Sequence, residues 1–85
     1  MIKVNKHIHV KDIQNKVLSD FIFDWVVAEQ EIGRNEMAFV SISDLEKIYF
    51  YNKVTLQEYH QTVAYFKKML EAVEQKEICA IFIDW

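Results

Sequence analysis

The chain contains one glycine, Gly33, and no proline, which restricts the turns that it can form. Two-residue β-hairpin loops favour glycine because their backbone must reach positive φ. Flexible linkers and glycine-rich phosphate loops also need glycine, and neither pattern occurs in the sequence. A chain of 85 residues has material for one core. We therefore predict a single domain over residues 1–85. The scarcity of glycine argues against any two-residue hairpin.

Hydrophobic periodicity predicts two long helices between strands. The amino-terminal residues alternate between apolar and polar, and the final run ICAIFIDW is continuous enough for a well-buried strand. An N-cap at Asp12 and a stop at Gly33 bound the first long helix. The predicted elements are a strand over 2–10, a helix from Asp12 to about Ile32, a strand over 37–42, a helix over 55–76 and a strand over 78–85.

The first long helix has more apolar residues than one buried face needs. Its apolar stripe contains Ile13, Val17, Phe21, Trp25, Ala28 and Ile32, and further apolar residues fall outside the stripe. Such a helix is either covered on two sides within the domain or docked on another chain, and both interpretations stay open. Aromatic residues are also enriched at protein interfaces. The predicted protein interface comprises Ile22, Phe23, Trp25, Val26, Val27, Tyr49 and Tyr51.

The stretch SISDLEKIYFYNKVTLQEY, residues 41–59, has two interpretations. In the first, Ser43 with Glu46 and Thr55 with Glu58 form capping boxes that start a short helix over 43–51 and the second long helix. In the other, KIYFYNKV is a strand that pairs back on residues 37–42, because isoleucine and tyrosine favour strands. The connecting turn SD would lack glycine, so we favour two helices.

With two helices, the order β-α-β-α-α-β resembles a winged helix-turn-helix domain. The resemblance is carried by a first helix, the strand AFVSI, a helix opened by SDLE, a third helix opened by TLQE and the strand EICAIFI. The third helix is longer than in that family, and no second wing strand follows it. In the family this helix enters the major groove of DNA. The resemblance implies nucleic-acid contacts by Lys3, Lys6, Gln57, Gln61 and Lys68.

The alternative strand interpretation gives a different fold. The order becomes βαββαβ, which is similar to ferredoxin-like domains with two helices on one side of a four-stranded sheet. Both interpretations belong to the α+β class, so the fold class does not depend on the choice.

The charge distribution counts against DNA as the main partner. The net charge is −3, and residues 1–16 hold four lysines and Asp12, a local +3, so the remainder carries −6. Domains that bind phosphates usually present a strongly basic face. The acidic body therefore favours a protein partner.

The sequence offers few groups for catalysis or metal binding. No nucleophile and base occur in a recognisable motif. His7 and His9 lie two apart on a predicted strand and point the same way, but nothing places His60 or another third ligand beside them. Cys79, in an apolar run, is expected to be a buried thiol. We predict no enzymatic activity, no metal, no cofactor and no small-molecule substrate.

These features favour a small regulatory protein that acts by protein–protein contact, as a homodimer or on a larger target. A winged-helix DNA-binding regulator is the alternative. The single cysteine and the lack of a membrane-length apolar stretch predict a cytoplasmic protein without a membrane partner. A composition rich in isoleucine, lysine, asparagine and aromatic residues suits a gene from an AT-rich bacterium or its phage.

Overall fold

The computed structural model of the protein describes residues 7–84, apart from the side chain of Tyr51. These residues form an α+β fold with a three-stranded mixed sheet. The strands are β1 (Ile8–His9), β2 (Met37–Ser41) and β3 (Ile78–Phe82), in the sheet order β1-β3-β2. β1 runs parallel to β3, and β2 runs antiparallel to it. The observed order of strands and helices is compatible with the predicted β-α-β-α-α-β.

β3 lies at the centre of the sheet because its sequence is the most continuously apolar. Its inward-facing side chains, those of Cys79 and Ile81, are fully buried, as is that of Ile83 just beyond the strand. On β2, Ala38 and Val40 are equally buried. These side chains form one core cluster with residues of the helices, so the helices cover one face of the sheet.

A side-chain hydrogen bond links the short strand β1 to Asp84, just beyond the end of β3. Nδ1 of His9 lies 2.6 Å from a carboxylate oxygen of Asp84, and the backbone N–H of Lys11 donates to the other oxygen over 3.3 Å. Partial burial raises the pKa of Asp84, but the hydrogen bonds and charges of His9 and Lys11 outweigh this effect and hold the pKa below its ordinary value. The predicted strand is shorter than expected within the described residues, because a 3₁₀ turn begins at Val10. Its first residues, 2–6, lie outside the description.

The first long helix begins later than predicted. Its N-cap is Asn15, whose side-chain oxygen accepts a hydrogen bond from the N–H of Leu18 over 2.9 Å. Asp12, the predicted N-cap, lies instead in the 3₁₀ turn Val10–Asp12. The helix consists of α1 (Lys16–Phe21), a π-helical segment (Ile22–Val26) and α2 (Val27–Gln30).

The π-helical segment lies in the buried part of this helix. Here the N–H of Val27 bonds to the carbonyl of Ile22, five residues back, so each turn holds more residues than an α-helix does. Ile22 and Val26 fall outside the predicted apolar stripe, yet they are fully buried in the core with Leu18 and Phe21. The buried face therefore follows helical spacing from Leu18, and the predicted stripe is rotated away from it. The apolar surplus at these two positions is covered within the fold and presents no surface to a partner.

The helix also ends before Gly33. Glu31 adopts the left-handed conformation, with φ 54°, and the N–H of Ile32 bonds to the carbonyl of Val27 over 3.0 Å. This is the hydrogen bond of a Schellman motif, in which glycine is usual at the position of Glu31. Gly33 does not have positive φ. Its N–H donates to the carboxylate of Glu36 over 2.6 Å.

The stretch 43–51 is helical, so the strand interpretation and the ferredoxin-like order are wrong. A 3₁₀ helix (Ser43–Lys47) leads into α3 (Ile48–Tyr51). The predicted box of Ser43 and Glu46 does not form. Instead, Ser41 and Asp44 bond reciprocally: the N–H of Ser41 donates to the carboxylate of Asp44 over 2.8 Å, and the N–H of Asp44 donates to the hydroxyl of Ser41 over 3.2 Å.

The second capping box is confirmed. Helix α4 (Leu56–Ala72) starts at Thr55, and the backbone N–H groups and side chains of Thr55 and Glu58 bond reciprocally at 2.9 and 3.1 Å. The predicted seam packs into the core through Phe66 and Leu70, whereas its first member, Leu56, is 62% exposed. The helix ends at Ala72, four residues before the predicted end at Lys76.

Candidate binding surface

The face of the sheet opposite the helices carries mainly apolar side chains, two of which are exposed. Strand alternation places on it the side chains that do not enter the core. Phe39 and Ile78 are the most exposed of these, at 52% and 51%. We call this surface the outer sheet face; it comprises His7, His9, Met37, Phe39, Ser41, Ile78, Ala80 and Phe82.

One side of the outer sheet face is formed by a group of rings. The ring centroids of His7 and His9 are 5.1 Å apart, and they lie 6.0 and 5.5 Å from the centroid of Phe82. The two histidines therefore point the same way, as the sequence predicted. Among residues 7–84, no group of three or more histidine, cysteine or acidic side chains is placed to hold a metal ion. The carboxylate of Asp84 bonds His9 at one end of the outer sheet face, and its side chain is 11% exposed.

The exposed edge of β2 is closed by side chains of the same chain. The side-chain amide of Gln30 donates to the carbonyl of Phe39 over 2.6 Å and accepts from its N–H over 3.2 Å. Asp44 bonds the N–H of Ser41 on the same strand. Unpaired backbone groups at a sheet edge invite strand addition by another chain. Because these groups are already bonded, a partner strand would have to displace Gln30 and Asp44.

A pocket of about 450 Å³ adjoins the outer sheet face at Ser41. We call it the Ser41 pocket. Its lining combines hydroxyl groups, carboxylates and apolar side chains: Ser41, Ile42, Ser43, Glu46, Tyr59, Val63 and Glu77. The hydroxyls of Ser41 and Ser43 are 2.9 Å apart. Since Ile78 pairs with Ser41 across the strands, the pocket lies at the Ile78 end of the outer sheet face.

Tyr59 forms the aromatic wall of the Ser41 pocket. Its ring stacks on that of Tyr49 with centroids 4.7 Å apart, and the ring of His60 meets it at 5.8 Å. Partial burial, followed by the charge of Glu46 and the nearby Tyr49, raises the pKa of Tyr59 above its ordinary value. The phenol is therefore uncharged at neutral pH.

The predicted interface residues do not form one surface. Ile22 and Val26 belong to the core, and Phe23, Trp25 and Val27 are half-buried against it. The ring of Trp25 stacks on Phe21 at 5.3 Å, and Nζ of Lys47 lies 5.3 Å from the centroid of Trp25. Tyr49 is 38% exposed beside the Ser41 pocket. The side chain of Tyr51 lies outside the description.

The predicted nucleic-acid contacts are only partly described. Gln57, Gln61 and Lys68 are exposed on α4, and their spacing places them on one side of the helix. Lys3 and Lys6 lie outside the described residues. Within the described part of this surface, Lys68 is the one cationic member of the predicted set.

The sequence interpretation missed Phe39, Ile78 and Phe82 as surface residues. Residues 78–85 were treated as a continuously buried strand, whereas β3 alternates between buried and more exposed positions. The same alternation in MAFVS was a usable signal, because Ala38 and Val40 are buried and Phe39 points away from them. A strand whose sequence is continuously apolar can therefore still have one face exposed to solvent.

Two further results bear on what the chain can do. Across residues 7–84, no helix has both the length and the apolar content needed to cross a bilayer. Comparisons with protein-family models, curated proteins and solved structures find no match to this chain.

Proposed function

We propose that this protein is a small, cytoplasmic, non-enzymatic regulatory protein that binds another protein chain through the outer sheet face. The observation that supports the proposal is the exposure of Phe39 and Ile78 on the outer sheet face. Fully burying a large apolar side chain contributes about 1.5–3 kcal/mol. Because both side chains are already about half buried, a partner that covers them gains about half of this amount from each.

The surroundings of this face also suit a protein partner. The remainder of the chain is acidic, but none of the eight side chains of the outer sheet face is itself a carboxylate, and Asp84 beside His9 is already hydrogen-bonded. Interface cores are typically depleted in charged residues and enriched in aromatic ones. The partner is either a second copy of this chain or a larger target, and the face suits both.

Substitutions on the face test the proposal. We expect Phe39→Asp and Ile78→Asp to abolish association, measured by sedimentation of the purified chain and by retention of target protein on the immobilised chain. Both side chains are exposed, so folding should be preserved, which circular dichroism checks. Leu56→Asp is the matched control, because Leu56 is 62% exposed but lies on α4. The proposal fails if the unmodified chain is monomeric and if every protein that it retains is also retained by the Phe39→Asp and Ile78→Asp variants.

A winged-helix DNA-binding regulator is our second candidate. The order of elements and the exposed Gln57, Gln61 and Lys68 on α4 support it. The acidic balance of the chain opposes it, because duplex binding depends on neutralising phosphates. Binding to random duplex DNA at low and moderate salt separates the two candidates. Tight binding with a steep salt dependence would favour DNA as the partner.

A further inference from the structure

We propose that the Ser41 pocket receives an arginine side chain of the protein partner. This inference rests on the proposed function, since it assigns a chemical feature to the partner that covers the outer sheet face. The pocket adjoins that face at Ser41, and Ile78 pairs with Ser41 across the strands. A partner lying on the face can therefore extend a long side chain into the pocket.

The charges of the pocket favour a cation. Glu46 and Glu77 line it, and neither side chain forms an ion pair with any residue in the range 7–84. A cationic group that enters the pocket gains the attraction of both carboxylates.

The shape and the hydrogen-bonding groups of the pocket select arginine among the cations. Ile42 and Val63 supply an apolar lining along which the methylene stem of a long side chain can lie. The guanidinium group carries five N–H donors and no acceptor. The pocket offers acceptors in two carboxylates and in the hydroxyls of Ser41 and Ser43.

The aromatic ring of Tyr59 in the pocket lining also favours arginine over lysine. Its ring is held by stacking on Tyr49, with centroids 4.7 Å apart, so its orientation is fixed before a ligand arrives. A guanidinium group is more weakly hydrated than a compact ammonium group, so it loses less on entering a pocket lined partly by an aromatic residue. The pocket volume of about 450 Å³ is within the range of ordinary ligand sites.

A small probe tests the pocket without the partner. We expect N-acetyl-arginine amide to shift the backbone amide NMR signals of the pocket residues in a saturable manner. N-acetyl-citrulline amide, which has nearly the same shape without the charge, should bind up to about fivefold more weakly, as expected for loss of an exposed ion pair. Equal binding of the two probes, or no saturable shift with arginine, would overturn the proposal.

Variants locate the site. Glu46→Gln and Glu77→Gln should each weaken binding of the arginine probe, whereas Glu71→Gln should leave it unchanged, because Glu71 is exposed on α4 and does not line the pocket. Unchanged binding in both pocket variants would refute the assignment. Saturation of the same signals by magnesium chloride at lower concentration than by the probe would instead identify a metal site.

The probe also separates this inference from the proposed function. Phe39→Asp removes an apolar contact of the outer sheet face but does not alter the lining of the Ser41 pocket. We therefore expect the Phe39→Asp variant to bind the arginine probe as the unmodified chain does. A pocket that binds the probe in a chain that associates with no protein would reject the proposed function alone.

Discussion

Glu31 is one of four residues among 7–84 that adopt positive φ without being glycine. It ends the first long helix with φ 54°, a region in which a side chain is disfavoured and glycine is not. The sequence placed this role at Gly33, because glycine is the usual residue there. The role of Gly33 is instead to donate its N–H to Glu36.

We expect Glu31→Gly to stabilise the fold by about 0.5–1 kcal/mol, because the relief of the left-handed conformation exceeds the added freedom of the unfolded chain. Urea unfolding of the two proteins measures the difference. Gly33→Ala is the control: its φ is not positive, and a Cβ there would lie 3.4 Å from the carboxylate of Glu36, so its effect should be small. A Glu31→Gly variant less stable than the unmodified chain would contradict this account.

The outer edge of β2 is hydrogen-bonded by a side chain from another secondary-structure element. Gln30, the last residue of α2, bonds both backbone groups of Phe39 at the outer edge of the strand. A glutamine amide thus occupies the place that a neighbouring strand would take. The backbone groups of Phe39 at this edge are therefore hydrogen-bonded without a neighbouring strand.

We expect Gln30→Ala to open this edge and to promote association by strand pairing. The effect on unfolding free energy should be modest, about 1 kcal/mol, because water can replace these exposed hydrogen bonds. Sedimentation velocity measures the association, and the background variant Ile78→Asp excludes association through the outer sheet face. Gln57→Ala removes an exposed glutamine of α4 and should change nothing. If the variant that combines Gln30→Ala with Ile78→Asp stays monomeric, Gln30 is not what prevents strand pairing at this edge.

The sequence predicted the elements better than their ends and their contacts. The strand 37–42, the helix opened by Thr55 and the final strand are set by local periodicity and capping, and they occur close to where they were predicted. The first long helix has apolar residues on two overlapping faces, and the sequence does not show which face is buried, so Ile22 and Val26 fell outside the predicted stripe although they belong to the core. The outer sheet face and the Ser41 pocket depend on pairings between distant residues, which local patterns do not specify.

For the whole molecule, Cys79 provides a measure of global opening. It lies on the central strand, fully buried, and burial raises the pKa of its thiol to about 11. Labelling by a thiol reagent requires the sheet to separate from the helices. The labelling rate therefore reports the stability of the entire fold.

We expect Cys79 in the folded chain to react at pH 8 at least about a thousandfold more slowly than in the urea-unfolded chain. Stability should also fall as the pH rises from 9 towards 11, because the unfolded thiol loses its proton in this range while the folded one keeps it. In Cys79→Ala this part of the pH dependence should disappear. Rapid labelling under native conditions would show that β3 is accessible without global unfolding.

The position of β3 at the centre of the sheet has a consequence for the order of folding. β3 follows β1 and β2 along the chain, and each of them pairs with β3 and not with the other. During synthesis, therefore, neither strand has its partner until β3 has left the ribosome. Helix formation and capping are local and can precede this step. The sheet then forms in a late event that closes a loop of about seventy residues between β1 and β3.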